Sequence, residues 1–306
     1  MKNGLLKFII AILSFFVLLF ACDKVLVRIE DYLYSTKDNK LNYAAHSQDD
    51  AEIVILGSSR ASHHYVPSIL TDSLGMSCVN LGVDGQGILY HYALFHMLVQ
   101  HNSPRIIIYE FGGFDWEDNG EETYARNDHL APMYGKYKTT DTLITNIGNK
   151  YRTTLSLLNT YKYNGRIHNV FINTHRIAKH NGYEPLYGER KVVELNELLN
   201  NNSTLVEGTP IHPDKIHYSK RLIKECEERD ILLVFAMSPT MGSLSTTNME
   251  ILSEICGDQI PVLDYRKQFN QNELFKDDTH MNDAGAKVYT SQIAVELKHI
   301  IAGCEY

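Results

Sequence analysis

Short runs of almost unbroken apolar residues recur along this chain: Ile53-Val54-Ile55-Leu56, Ile106-Ile107-Ile108-Tyr109 and Ile231-Leu232-Leu233-Val234-Phe235-Ala236-Met237. Each is too brief for a buried helix and reads as a strand. A strand apolar on both faces belongs in a sheet covered on both sides, which is the habit of parallel sheets. Weaker strands follow at 77–81 and 261–265. Stretches with helical spacing lie between them at 66–74, 87–99, 215–229 and 284–301; in the last, Val288, Ile293, Ala294, Leu297 and Ile300 share a face. Strands alternating with helices imply an α/β chain with a mainly parallel five-stranded sheet between two helical layers. Ligands of such folds sit beyond the carboxyl ends of the strands, so chemistry is expected from residues just after the apolar runs.

Residues 116–210 break the alternation. They are rich in Tyr, Asn, Thr and Lys, with weak helical periodicity at 141–158 and 191–199. The stretch is too long for a simple loop and is expected to be a helical insertion over the active-site end.

At the N-terminus, residues 8–21 carry no charge and follow Lys2 and Lys7. Counted from Leu5, the apolar stretch meets the short limit for a membrane-spanning helix, about 17–25 residues, with Lys7 able to snorkel. A cleaved signal peptide is the competing reading, its apolar core being typically ~7–15 residues. A third arises because Leu19-Phe20-Ala21-Cys22 resembles a lipobox, in which Cys22 would be lipidated. Bulky Phe20 fits that motif poorly, no Ala-x-Ala-like cleavage site follows, and 25–34 continues as an amphipathic helix rather than a flexible tether. The expected organisation is an anchor and juxtamembrane helix (1–34), a polar linker (35–50) and one domain (51–306) holding the insertion. The positive-inside rule leaves that domain outside the cytoplasm. A net charge of −8 does not suit phosphate neutralisation, which argues against nucleic acid as a partner.

Two segments carry chemistry. The first strand runs into Gly57-Ser58-Ser59-Arg60, and Asp277-Asp278-Thr279-His280 precedes the last helix. A serine hydroxyl becomes a useful nucleophile when an imidazole takes its proton, and the imidazole needs an acceptor to fix its tautomer. Asp and His three residues apart can supply that pair from one turn of chain. Metal chemistry has less support: the 14 histidines form no His-x-x-x-His pair, and the five cysteines, Cys22, Cys78, Cys226, Cys256 and Cys304, have no ligand spacing. Cys78 reads as a small core residue, and no disulfide pairing can be read from sequence.

These segments resemble blocks I and V of the SGNH/GDSL hydrolase superfamily, Gly-Asp-Ser and Asp-x-x-His. The resemblance implies a flavodoxin-like α/β/α sandwich, Ser59 rather than Ser58 as nucleophile, His280 as base and Asp277 as its orienting acid, with no cofactor and no metal. Asp278 is the rival acid, suited to a capping or solvated role. The family's oxyanion glycine falls on Gly85 in Asn80-Leu81-Gly82-Val83-Asp84-Gly85, so the oxyanion would rest on the Ser59 and Gly85 N–H groups. In block III the family's Gly-x-Asn-Asp becomes Gly112-Gly113-Phe114-Asp115, and Phe114 cannot donate to an oxyanion. One such donor is worth ~10²–10³ in rate. Arg60 could meet a substrate anion or sugar, and His63 could replace the missing donor. Asn282 is expected to cap the last helix, with Gly285 allowing close packing.

The sequence around Ser59, behind a membrane segment, also resembles anchored SGNH-like proteins of bacterial cell envelopes. That implies a serine esterase acting on O-acyl, chiefly acetyl, esters of envelope carbohydrate or another envelope polymer, held in the lipid bilayer and in some relatives paired with a membrane acyltransferase. Two alternatives stay open: an O-acyltransferase using the same acyl-enzyme, and an inactive binding or scaffold protein of the same fold.

Overall fold

The computed structural model describes residues 2–47, 49–112, 115–164, 170–171, 177–190, 210–241 and 247–304. Phe114 and the helical stretch expected at 191–199 lie outside the described residues. The chain divides into two compact units, Asp38–Arg126 with His175–Tyr306, and Met1–Lys37 with Asn127–Thr174.

The first unit is built on a five-stranded, all-parallel sheet. Its strands are β1 (Ile53–Gly57), β2 (Cys78–Asn80), β3 (Ile106–Glu110), β4 (Leu232–Met237) and β5 (Val262–Asp264), in the order β2-β1-β3-β4-β5. This is the flavodoxin-like order. Successive side chains of a strand point to opposite faces, and in β1 and β3 both sets are buried. Ile53, Ile55, Ile106, Ile108, Val234 and Ala236 share one core with Tyr289, Ile293 and Leu297 of the long helix Asp283–Cys304. Helices Ser59–His64 and Pro67–Leu74 pack on that same helix. Helices Ile88–Leu98 and Pro213–Glu227 pack together on the other side, against β1 and β4. The fold is therefore a three-layer α/β/α sandwich.

Asn282 caps the last helix as expected, its Oδ1 accepting the Gly285 N–H at 3.0 Å. A Cβ on Gly285 would stand 2.1 Å from the Leu274 carbonyl oxygen, so only glycine fits. Within the stretch read as a polar linker, Lys40–His46 form a helix whose Leu41, Ala44 and Ala45 are buried. Lys40 is buried too, which polar patterning does not suggest. Its Nζ donates to the Gly82 carbonyl at 2.6 Å, to Glu184 Oε1 at 3.1 Å and to Ser62 Oγ at 3.2 Å.

In the second unit, the helix Lys2–Ser35 is long and apolar enough, over Gly4–Ser35, to cross a membrane. Its later half is not bare. The Asp23 carboxylate accepts N–H bonds from Asn159 (2.9 Å) and Thr160 (3.0 Å) and bonds from both their side chains, capping the turn Asn159–Tyr163. Asp31 accepts the Tyr163 hydroxyl at 2.7 Å, and the Tyr34 and Tyr163 rings lie 5.6 Å apart. Part of the long insertion thus folds onto the N-terminal helix. Helices Lys138–Thr145 and Asn149–Leu157 stand where weak periodicity suggested one helical stretch.

Candidate active site

Strand β1 ends at Gly57 with φ +135°, where a Cβ would meet the Glu110 carbonyl oxygen at 2.7 Å. That close approach to β3 requires glycine. The chain then turns through Ser58 into the helix Ser59–His64, which brings Ser59 to the carboxyl end of the sheet.

Ser59 Oγ lies 2.8 Å from His280 Nε2. On the other side of the ring, His280 Nδ1 is 3.0 and 3.1 Å from the two Asp277 carboxylate oxygens. A carboxylate can only accept here, so Nδ1 carries the proton and Nε2 is free to accept from the serine hydroxyl. Asp277 also accepts the N–H groups of Thr279 (2.9 Å) and His280 (2.8 Å). Burial works against its charge, but these N–H groups and the His280 ring together hold its carboxyl below the usual carboxylate range. Asp278 faces away from the histidine: its carboxylate pairs with Arg190 and its carbonyl accepts the Met241 N–H at 2.9 Å. Chain geometry therefore brings together Ser59, His280 and Asp277.

The loop after β2 is pressed onto the Ser59 helix. A Cβ on Gly82 would stand 2.5 Å from the Ser62 nitrogen, and the Gly82 N–H donates to Asn80 Oδ1 at 2.9 Å. Gly85 has φ +69°, and its carbonyl accepts from Arg126 Nη1 at 2.8 Å. No acceptor for the Gly85 N–H is present among the described residues.

Arg60 and His63 have well-defined partners. Arg60 turns into the fold, its Nε 3.1 Å from Glu110 Oε1 and its Nη2 donating to the Phe111 carbonyl at 2.9 Å. His63 donates from Nδ1 to the Glu184 carbonyl (2.6 Å) and from Nε2 to Asp84 Oδ2 (3.1 Å). Burial alone would lower its basicity, but Asp84 and the Glu184 carbonyl outweigh it and raise the imidazole pKa. Asp115, in block III, accepts the Gly112 N–H and the Tyr109 hydroxyl; burial pushes its carboxyl up to about 6 against those bonds.

Several supporting residues were not singled out in the sequence. Segment 183–190 runs beside both halves of the site. The Glu184 N–H donates to the Ser62 carbonyl (3.0 Å), the Asp283 N–H to the Leu186 carbonyl (2.7 Å) and the Arg190 N–H to the Phe275 carbonyl (2.7 Å). His64, Glu110 and Ser238 form a buried polar chain beneath Ser59. Their types are common in helices and strands, and only long-range pairing marks them. Among the described residues no cluster of His, Cys, Asp or Glu could hold a metal ion.

No protein-family model matches the sequence. No curated protein matches it either. Solved structures do resemble it. A protein of the G-D-S-L family from Desulfitobacterium hafniense is 13% identical, covering 79% of this chain and 97% of its own, with a TM-score of 0.43. An acetyl xylan esterase is 12% identical, covering 81% and 99%, with a TM-score of 0.39. A GDSL-like lipase from Bacteroides thetaiotaomicron is 11% identical, covering 85% and 98%, with a TM-score of 0.39. With its β2-β1-β3-β4-β5 sheet, Ser59 at the mouth of β1 and the Asp277–His280 pair before the last helix, the chain is similar to the SGNH/GDSL hydrolases.

Proposed function

We propose that this protein is a membrane-anchored serine esterase that removes short acyl groups, acetyl above all, from O-acylated envelope carbohydrate. The observation that carries the reading is the unbroken line from Asp277 through His280 to Ser59 Oγ, with contacts of 3.0 and 2.8 Å. Ser59 Oγ attacks the ester carbonyl while His280 Nε2 takes its proton. The imidazolium that forms is stabilised by Asp277, which stays ionised. Negative charge on the carbonyl oxygen is received by the Ser59 and Gly85 N–H groups. His280 then returns the proton to the departing sugar oxygen, leaving an acyl-serine. Water, deprotonated by His280, attacks that acyl group, and the proton passes back to Ser59 as the acid leaves.

Anchoring is supported by the length and composition of Gly4–Ser35. The acyl-carbohydrate substrate, the cell envelope and a membrane acyltransferase partner rest on the sequence resemblance, and the side outside the cytoplasm on the positive-inside rule. A sugar hydroxyl in place of water would make the same acyl-enzyme a transferase.

The test is labelling of the full chain with a fluorophosphonate, followed by peptide mapping and acetate release from O-acetylated polysaccharide. An adduct on Ser59, absent from Ser59→Ala, is expected. Labelling on Ser58 would overturn the assignment of Ser59 as nucleophile, and no labelling of intact protein would end the esterase reading and leave the scaffold alternative. Transfer of acetyl to added polysaccharide without free acetate would favour the transferase.

A further inference from the structure

A second serine–histidine–carboxylate line lies directly beneath the first, and it is sealed. His64 Nδ1 is 2.7 Å from Ser238 Oγ, and Ser238 Oγ donates to Glu110 Oε1 at 2.7 Å. His64 and Ser238 are fully buried and Glu110 is 1% exposed, so no ester reaches this serine. The far nitrogen, His64 Nε2, accepts the backbone N–H of Met281 at 2.8 Å. Met281 is the residue after His280.

The hydrogen bonds fix every proton in this line. Glu110 is surrounded by donors: Arg60 Nε, the Tyr65 hydroxyl, and the Ser238 N–H and hydroxyl. Ser238 spends its proton on Glu110 and must accept from His64, so His64 carries its proton on Nδ1. Nε2 is then bare and faces a backbone donor. Burial, with the Arg60 charge nearby, holds the His64 imidazole well below its usual range, which keeps that nitrogen bare. His64 closes the helix that Ser59 opens, and its ring lies edge-on to His280 at 6.2 Å.

We infer that His64, held by Ser238 and Glu110, is a positioning residue that sets the distance between Ser59 and His280 by fixing the Met281 peptide to the nucleophile helix. Asp277 fixes only the tautomer and tilt of His280, because it belongs to the same turn. Something must tie that turn to the helix 217 residues away in sequence, and the His64–Met281 bond does so. This rests on the esterase reading above. Misplacing a reacting group by about 1 Å can cost ~10² in rate.

The test uses the full chain in detergent, comparing wild type, His64→Leu, His64→Gln and Ser238→Ala by fluorophosphonate labelling and p-nitrophenyl acetate hydrolysis. His64→Leu should lower the labelling rate constant and kcat together by about 10–100-fold with KM unchanged and labelling still running to completion. His64→Gln, whose Oε1 can accept the Met281 N–H, should recover most of that loss. Ser238→Ala frees the His64 ring to change tautomer and should lower the same rate constant by several-fold, even where His64→Leu does not fold. A merely structural role would reduce the fraction of protein labelled and leave the rate constant alone, and that outcome overturns the inference. So would unchanged rate constants in the variants when wild type labels normally. Wild type that does not label at all would remove the esterase reading, and this inference with it.

Discussion

Lys40 Nζ lies 2.6 Å from the carbonyl oxygen of Gly82, tying a helix that precedes the first strand to the loop that carries Gly85. The same ammonium reaches Ser62 in the helix that Ser59 opens and Glu184 in the segment beside it. One buried cation thus joins three pieces of chain at the site. Burial depresses its pKa and Glu184 opposes the shift, so its removal leaves acceptors stranded out of water.

Lys40→Met should therefore destabilise the fold by about 1–3 kcal/mol, the usual cost of leaving a buried acceptor such as the Gly82 carbonyl unpaired. Urea denaturation of the two proteins measures it. A cost near zero would mean that the three acceptors find other donors without Lys40.

The two adjacent aspartates should separate cleanly. Asp277→Asn should lower kcat for p-nitrophenyl acetate by about 10²–10⁴-fold, because the amide no longer holds His280 in the tautomer that accepts from Ser59. Asp278→Asn should change kcat no more than a few-fold. Equal losses would assign both carboxylates to the histidine.

His63 gives a pH signature in stability. Its pKa is raised in the folded state, so its contribution is fully present below the unfolded value of about 6.5 and is lost as pH rises through the folded value. His63→Gln should cost more stability at pH 6 than at pH 9. Denaturation midpoints across that range decide it, and a cost that grows with pH would reverse the assignment of Asp84 and the Glu184 carbonyl as its acceptors.

Phe114→Asn should restore a side-chain donor and raise kcat, with a ceiling of about 10²–10³-fold. His63→Ala should change kcat no more than a few-fold, because the Glu184 carbonyl and Asp84 already take both of its ring N–H groups. If Phe114→Asn lowers activity and His63→Ala leaves it unchanged, Phe114 shapes an acyl or sugar pocket instead.

What the sequence made legible was local. Ser59 follows an apolar strand, and Asp277 and His280 share one turn, so a short window holds each half of the site. The parallel, doubly covered character of the sheet also followed from runs such as Ile53–Gly57, apolar on both faces, whereas the strand order did not. The helix Thr247–Cys256, between β4 and β5, was not anticipated, nor was Lys40–His46, where a buried lysine interrupts the apolar pattern. Glu110, at the end of β3, was not singled out, yet it accepts from Arg60, Tyr65 and Ser238 at once. Such roles depend on partners far along the chain, and no spacing rule encodes them.

The Asp23 cap has a practical consequence for anyone preparing a soluble form. Trimming the chain after Ser35 to discard its greasy leader would also delete the carboxylate on which the Asn159–Tyr163 turn is seated and the Asp31 that receives Tyr163. Those partners would be left facing solvent. The N-terminal helix thus also seats a segment 136 residues further along the chain, so a truncated protein should be judged for that segment's integrity before a loss of activity is charged to the missing apolar residues.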